Sequence, residues 1–206
     1  MGHFYFVRHG QTEKNKEKVL QGRSNPPLND KGREQAGILG DAFKRNGIFF
    51  DKVYSSPLLR AVETARMIAG ENAEIIMDAR LLEMDYGPYE GVSLENPPQE
   101  VITFFSDFVN HPAPEGMEPL DSVVRRVGSF IEELKSCTEK NILIVTHAIA
   151  LKGALEYVTP DSHGAYWSQY IGNCEVYEGR FFCPEECHCV LRSVTGPLSK
   201  FRTVIL

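Results

Sequence analysis

Two apolar runs far apart in the chain end in residues able to handle a phosphate group. Phe4-Tyr5-Phe6-Val7 runs into Arg8-His9-Gly10-Gln11-Thr12, and Asn141-Ile142-Leu143-Ile144-Val145-Thr146 runs into His147. An arginine offers charge-assisted, bidentate hydrogen bonds to phosphate oxygens, and a neutral imidazole can attack phosphorus. A lone Arg-His pair is more simply a satisfied structural pair, so the case rests on what joins it. Arg60 follows Tyr54-Ser55-Ser56-Pro57, and Glu83 follows Leu81-Leu82. Two arginines with two histidines form a cage for a tetrahedral dianion, and a carboxyl group adds a proton donor for a leaving oxygen. His9 is the expected nucleophile, because Gly10 beside it permits close approach, and Glu83 is the expected general acid, later the base that activates water.

These residues need elements that bring four separate positions to one edge. Phe4–Val7 and Asn141–Thr146 read as buried strands, the second continuous enough for a sheet covered on both faces. Lys52–Ser55 and Glu74–Met77 read as shorter strands. Between them, Asn29 is a good N-cap for a helix over Asp30–Asn46 that Gly47 closes. Ser56-Pro57 predicts a helix start with Ser56 as cap and Leu58, Val62, Ala65 and Ala69 on its inner stripe. Arg60 in that first turn opposes the helix dipole unless an anion sits between them. Leu120 to Leu134 follows helical spacing closely, Ala148–Tyr157 follows it as well, and Cys174–Val194 alternates enough for one or two strands, antiparallel at a sheet edge. Alternating strands and helices predict a three-layer α/β/α sandwich with a mostly parallel central sheet. Ligands in such sheets bind beyond the strands' C-terminal ends, where Arg8, His9, Arg60, Glu83 and His147 fall.

The chain has 206 residues, 42% of them hydrophobic, enough for one domain over 1–206 with its own core. A formal net charge of −6 argues against nucleic-acid binding, which needs a basic footprint. With no apolar run of spanning length and no secretory leader, the expectation is a cytoplasmic protein without membrane contact. Five cysteines, an odd number, point to reduced thiols. Cys183, Cys187, His188 and Cys189 cluster, yet their spacing matches no standard metal-ligand pattern, so no metal is expected.

Further residues extend the catalytic set into a motif series. Arg8-His9-Gly10-Gln11-Thr12 with Asn15 is followed by Gln21-Gly22, Pro27-Leu28, Gly32 with Gln35-Ala36, then Tyr54-Ser55-Ser56-Pro57-Leu58-Leu59-Arg60-Ala61, Leu82-Glu83 with Gly87 and Gly91, and Val145-Thr146-His147. In this order they resemble the histidine phosphatases related to cofactor-dependent phosphoglycerate mutase. The resemblance implies a phosphoglycerate mutase-like fold, a phosphohistidine on His9, a phosphate clamp of Arg8, Arg60 and His147, support from Asn15, proton donation by Glu83, and no metal or nucleotide cofactor. Two departures stand out. Met117 replaces an acid frequent in the family, and Tyr89 replaces a tryptophan.

The expected partner is a small-molecule phosphate ester. Its recognition is assigned to a rim of Gln21, Gly22 and Arg23 and to a substrate-loop insertion around 84–120 carrying Phe104, Phe105 and Phe108. Between Glu83 and Arg125 there is no lysine or arginine, while Glu90, Glu95, Glu100, Asp107, Glu115, Glu118 and Asp121 add negative charge. Unpaired anions in such a site are costly. That favours a phosphatase acting on a monoester with a neutral or apolar leaving group over a phosphoglycerate mutase or bisphosphatase, although Lys14, Lys16, Lys18 and Arg23 approach from the other rim. A phospho-ligand binding protein without activity would be expected to lack His9 or Glu83.

Overall fold

The computed structural model describes residues 2–181 and 189–194. Its strands are β1 (His3–Arg8), β2 (Lys52–Ser55), β3 (Ile75–Met77), β4 (Asn141–Thr146), β5 (Val176–Phe181) and β6 (Cys189–Val194). The helices are α1 (Glu13–Lys16), α2 (Asp30–Arg45), α3 (Leu59–Ala69), α4 (Gln99–Ser106), α5 (Leu120–Leu134) and α6 (Ala148–Val158). The sheet order is β3-β2-β4-β1-β5-β6; the first four strands pair in parallel, and β5 and β6 add antiparallel at the edge.

Strand alternation sorts the core into two layers. Phe4, Phe6, Tyr54, Ile142 and Ile144 face residues of α4, α5 and α6, including Phe104, Phe130, Ile131 and Leu151. Tyr5, Val7, Val53, Leu143 and Val145 face the opposite way, against Phe43 of α2 and Ala61, Ala65 and Ile68 of α3. The three-layer α/β/α sandwich is therefore present. Asn29 caps α2 by accepting from Gly32 N at 2.8 Å, and Gly47 follows that helix at φ +70°. No helix among the described residues is long and apolar enough to cross a membrane.

The start of α3 differs from expectation. The helix begins at Leu59 with Leu58 at the cap position and no side-chain cap bond. The Ser56 hydroxyl lies two residues before that position, accepting from Leu58 N at 3.4 Å and from His147 Nε2 at 2.8 Å. The buried face of α3 is Arg60, Ala61, Thr64, Ala65 and Ile68, and Val62 and Ala69 are only half-buried.

The insertion also packs differently. Phe104 is 1% exposed and belongs to the core, so it is not a rim residue. It packs edge-on to Phe105 and Phe108, with centroids 5.3 and 4.9 Å apart, because the short amphipathic helix α4 turns Phe104 toward the core while Phe108 follows just past its end. Met117 is likewise buried, at 6% exposure. Of the cysteine cluster, residues 183, 187 and 188 lie outside the described residues, and Cys189 is placed on β6. No group of potential metal ligands occurs among the described residues.

Candidate active site

Register builds the centre of the site. β1 and β4 pair with Arg8 opposite Thr146, so the next residues, His9 and His147, leave the sheet side by side with ring centroids 5.1 Å apart. β2 pairs with β4 through Ser55 and Val145, which brings Ser56 under His147. Both histidines and Arg60 are buried, at 3%, 0% and 0% exposure.

The hydrogen bonds fix the tautomer of His9. Nδ1 lies 2.7 Å from the Gly10 carbonyl, which can only accept, so Nδ1 carries the hydrogen. Nε2 lies 3.3 Å from Arg60 Nε, and a guanidinium cannot accept, so Nε2 presents its lone pair. Burial, Arg60 and then Arg8 push the His9 pKa well below its ordinary value, which keeps the ring neutral. His147 is pushed down for the same reasons, burial first and then Arg60 and His9. Its Nδ1 faces Arg60 Nε at 3.2 Å, and its Nε2 donates to Ser56.

Gly10 serves a purpose other than ligand approach. A Cβ there would lie 2.5 Å from the Gly32 carbonyl oxygen, so the glycine lets the loop carrying His9 pack on the first turn of α2. Gly10 N donates to Thr64 Oγ1 at 3.0 Å, and Thr64 donates to the Arg60 carbonyl at 2.6 Å. One threonine on α3 thus ties the loop carrying His9 to the helix carrying Arg60.

Arg60 is more committed to the protein than a free clamp would be. Nη1 donates to the Ser24 carbonyl at 2.7 Å and Nη2 to that of Gly22 at 2.8 Å. The Gln21 amide, oriented with its oxygen toward Arg60, accepts from Nε at 2.8 Å. These oxygens relieve the conflict between an arginine and the helix N-terminus, and they hold Gln21, Gly22 and Arg23 over the histidines. Glu90 holds the same loop from the other side, accepting from the backbone N–H groups of Gly22, Arg23 and Ser24 at 2.8, 3.2 and 3.3 Å. Arg8 donates from Nη1 to the Ile171 carbonyl at 2.5 Å, while its buried Nε has no partner among the described residues.

Glu83 is buried, at 4% exposure, and anchored at the N-terminus of α6. Its Oε1 accepts from Met84 N, Ile149 N and Ala150 N at 2.9, 3.1 and 3.2 Å. Asn15 sits in the capping box of α1; its Oδ1 accepts from Thr12 N at 3.1 Å and from Asn173 Nδ2 at 3.3 Å.

The acidic character of the insertion is largely absorbed. Glu118, next to the unexpected Met117, accepts from Arg126 Nε at 2.8 Å and from Asp85 N at 3.1 Å. Arg126 also donates to the Arg80 and Leu82 carbonyls at 2.8 and 2.6 Å, steadying the approach to Glu83. Phe105 meets Tyr86 at 6.3 Å, and Phe108 lies against Trp167 at 6.3 Å.

The residue sequence reasoning missed altogether is Lys152 on α6. It is 9% exposed, donates to the Trp167 carbonyl at 2.6 Å and lies 5.3 Å from the Phe108 ring centroid. It sits in the apolar first half of α6, and an interior lysine there was its only signal. Thr64 and Glu90 gave none, being an ordinary helix residue and one acid among many.

Comparison with known proteins agrees with this arrangement. The family model described as "Histidine phosphatase superfamily (branch 1)" matches residues 4–192. A putative phosphoserine phosphatase 2 of Hydrogenobacter thermophilus is 33% identical over 183 residues, covering 86% of this chain and 89% of that protein. A 2,3-bisphosphoglycerate-dependent phosphoglycerate mutase of Parvibaculum lavamentivorans is 32% identical over 157 residues, covering 71% and 74%. Among solved structures, a phosphoserine phosphatase mutant of Entamoeba histolytica in complex with phosphoserine superposes with a TM-score of 0.78 at 26% identity, covering 98% and 96%. A neutral histidine held between two arginines, a carboxyl at a helix N-terminus and this match along the chain have one common meaning: the protein belongs to the histidine phosphatase superfamily, branch 1, and is a phosphatase of that family.

Proposed function

We propose that the protein hydrolyses small-molecule phosphomonoesters in two transfers through His9, without a metal ion. The observation that carries this reading is the His9 ring itself, with Nδ1 bonded to the Gly10 carbonyl and an unprotonated Nε2 whose lone pair faces Arg60 Nε. Nε2 attacks phosphorus in line, the bond from phosphorus to the ester oxygen breaks, and Glu83 gives its proton to the departing oxygen. Water then attacks the phosphohistidine, Glu83 takes the water's proton, and inorganic phosphate leaves with His9 restored.

Arg8, through its unpartnered Nε, and Arg60, through its Nε edge, stabilise the charge on the phosphoryl oxygens. His147 and the Asn15 amide nitrogen complete the cradle. An arriving dianion favours protonation of His147, which burial first and then Arg60 hold neutral in the free protein.

Rapid quenching with a radiolabelled phosphomonoester is expected to yield an acid-labile, base-stable phosphohistidine in the wild type and none in His9→Gln. Turnover is expected to survive a chelator. Absence of both label and turnover would leave a phospho-ligand binding protein. Interconversion of phosphoglycerates faster than phosphate release from any monoester would make the protein a mutase.

A further inference from the structure

Lys152 is a buried cation with no carboxylate partner in the described protein. Its ammonium donates to one backbone carbonyl and faces one aromatic ring, although it carries three hydrogens. None of the ion pairs among the described residues includes it. Burial pushes its pKa down to about 8, with Glu83 opposing that shift and Arg8 adding to it. A buried ammonium without a counter-ion is costly, and the cost is relieved when an anion arrives.

Its placement says which anion. Glu83 is held by the N–H groups of Ile149 and Ala150, and Lys152 follows Ile149 by three residues on the same helix. Residues three apart share a face, and helical side chains lean toward the N-terminus. Lys152 therefore reaches back toward the carboxyl that serves the leaving oxygen. The segment it grips at Trp167 is the one Arg8 grips at Ile171, so phosphate site, proton donor and ammonium border one space.

We propose that Lys152 binds a carboxylate on the leaving group, making phosphomonoesters of small carboxylic acids the preferred substrate class. This rests on the phosphatase reading above. It replaces the neutral or apolar leaving group suggested by the phenylalanines: Phe104 is core, and Phe108 lies against the ammonium instead of standing free.

The test compares O-phospho-L-serine with O-phosphoethanolamine, which differ only in the carboxylate, on the wild type, Lys152→Met and Lys152→Arg. The wild type is expected to prefer phosphoserine. Lys152→Met should lower kcat/KM for phosphoserine by roughly 10- to 100-fold, mostly through KM, as expected for loss of one charge-assisted bond, and change phosphoethanolamine by less than about threefold. Lys152→Arg should recover part of the preference. Equal losses on both substrates would make Lys152 a strap for the Trp167 segment and overturn the inference, as would a wild type indifferent to the carboxylate. Calorimetric binding of the same two compounds to His9→Gln reads the preference without turnover. A failed phosphatase reading thus remains distinguishable from a failed carboxylate site.

Discussion

Lowering the pH should destabilise this protein through two particular histidines. His9 and His147 are both held neutral in the folded state, with pKa values well below 6.5, by burial and by the neighbouring arginines. In the unfolded chain both return to about 6.5 and take up a proton below it. The unfolded state then binds more protons than the folded one, so stability rises with pH and is lost as pH falls from the unfolded value toward the folded values. Between pH 6.5 and about 5.5, each histidine is expected to cost about 1 kcal/mol, roughly 2 kcal/mol for the pair. Few carboxylates titrate in that window. The assay is urea unfolding at closely spaced pH values on the wild type, His9→Gln and His147→Gln, with each midpoint converted using its own slope. Each variant should lose about half of the wild-type pH dependence in this window. Saturating vanadate should flatten the wild-type curve further, because a bound oxyanion favours the protonated rings. Equal slopes in all three proteins would refute the claim that these rings are neutral because they are buried between guanidiniums.

Two further substitutions probe the supports of the site. Thr64→Val keeps the side-chain volume but removes the acceptor for Gly10 N, and is expected to cost about 1–3 kcal/mol. It should lower the urea midpoint at unchanged slope and reduce kcat through the loosened His9 loop; an unchanged midpoint would mean that Gly10 N finds another acceptor. Glu83→Gln retains an oxygen for the α6 N–H groups yet donates no acidic proton, so kcat for an alkyl phosphate should fall by about 10²- to 10⁴-fold. Phosphorylation of His9 by p-nitrophenyl phosphate, whose leaving group needs no proton, should be far less affected, and a uniform loss across leaving groups would sink the general-acid role.

Both strands that end in histidine were legible because their apolar runs stop abruptly at polar residues, and their parallel pairing follows from burial on both faces. Ser56 keeps a local bond from Leu58 N, but its hydroxyl also takes the His147 Nε2–H from 91 positions away, and the helix starts later, at Leu59. The acids of the insertion looked like free negative charge. Glu118 and Glu90 are consumed by Arg126 and by the Gly22–Ser24 backbone, contacts that span 8 and up to 68 positions. Gly10 beside a histidine suggests room for a ligand, whereas its space is filled by Gly32 of α2.

By itself, then, the sequence determined the candidate reacting groups. Residue type fixes which side chains can attack phosphorus, hold its oxygens or give up a proton, and a strand's end fixes where they emerge. Only tertiary structure decided their states and their surroundings. The His9 tautomer depends on a carbonyl and a guanidinium meeting the same ring, the choice among Phe104, Phe105 and Phe108 depends on which ring the sheet covers, and Lys152 matters because packing buries a positive charge near Glu83 without a direct ion pair among the described residues.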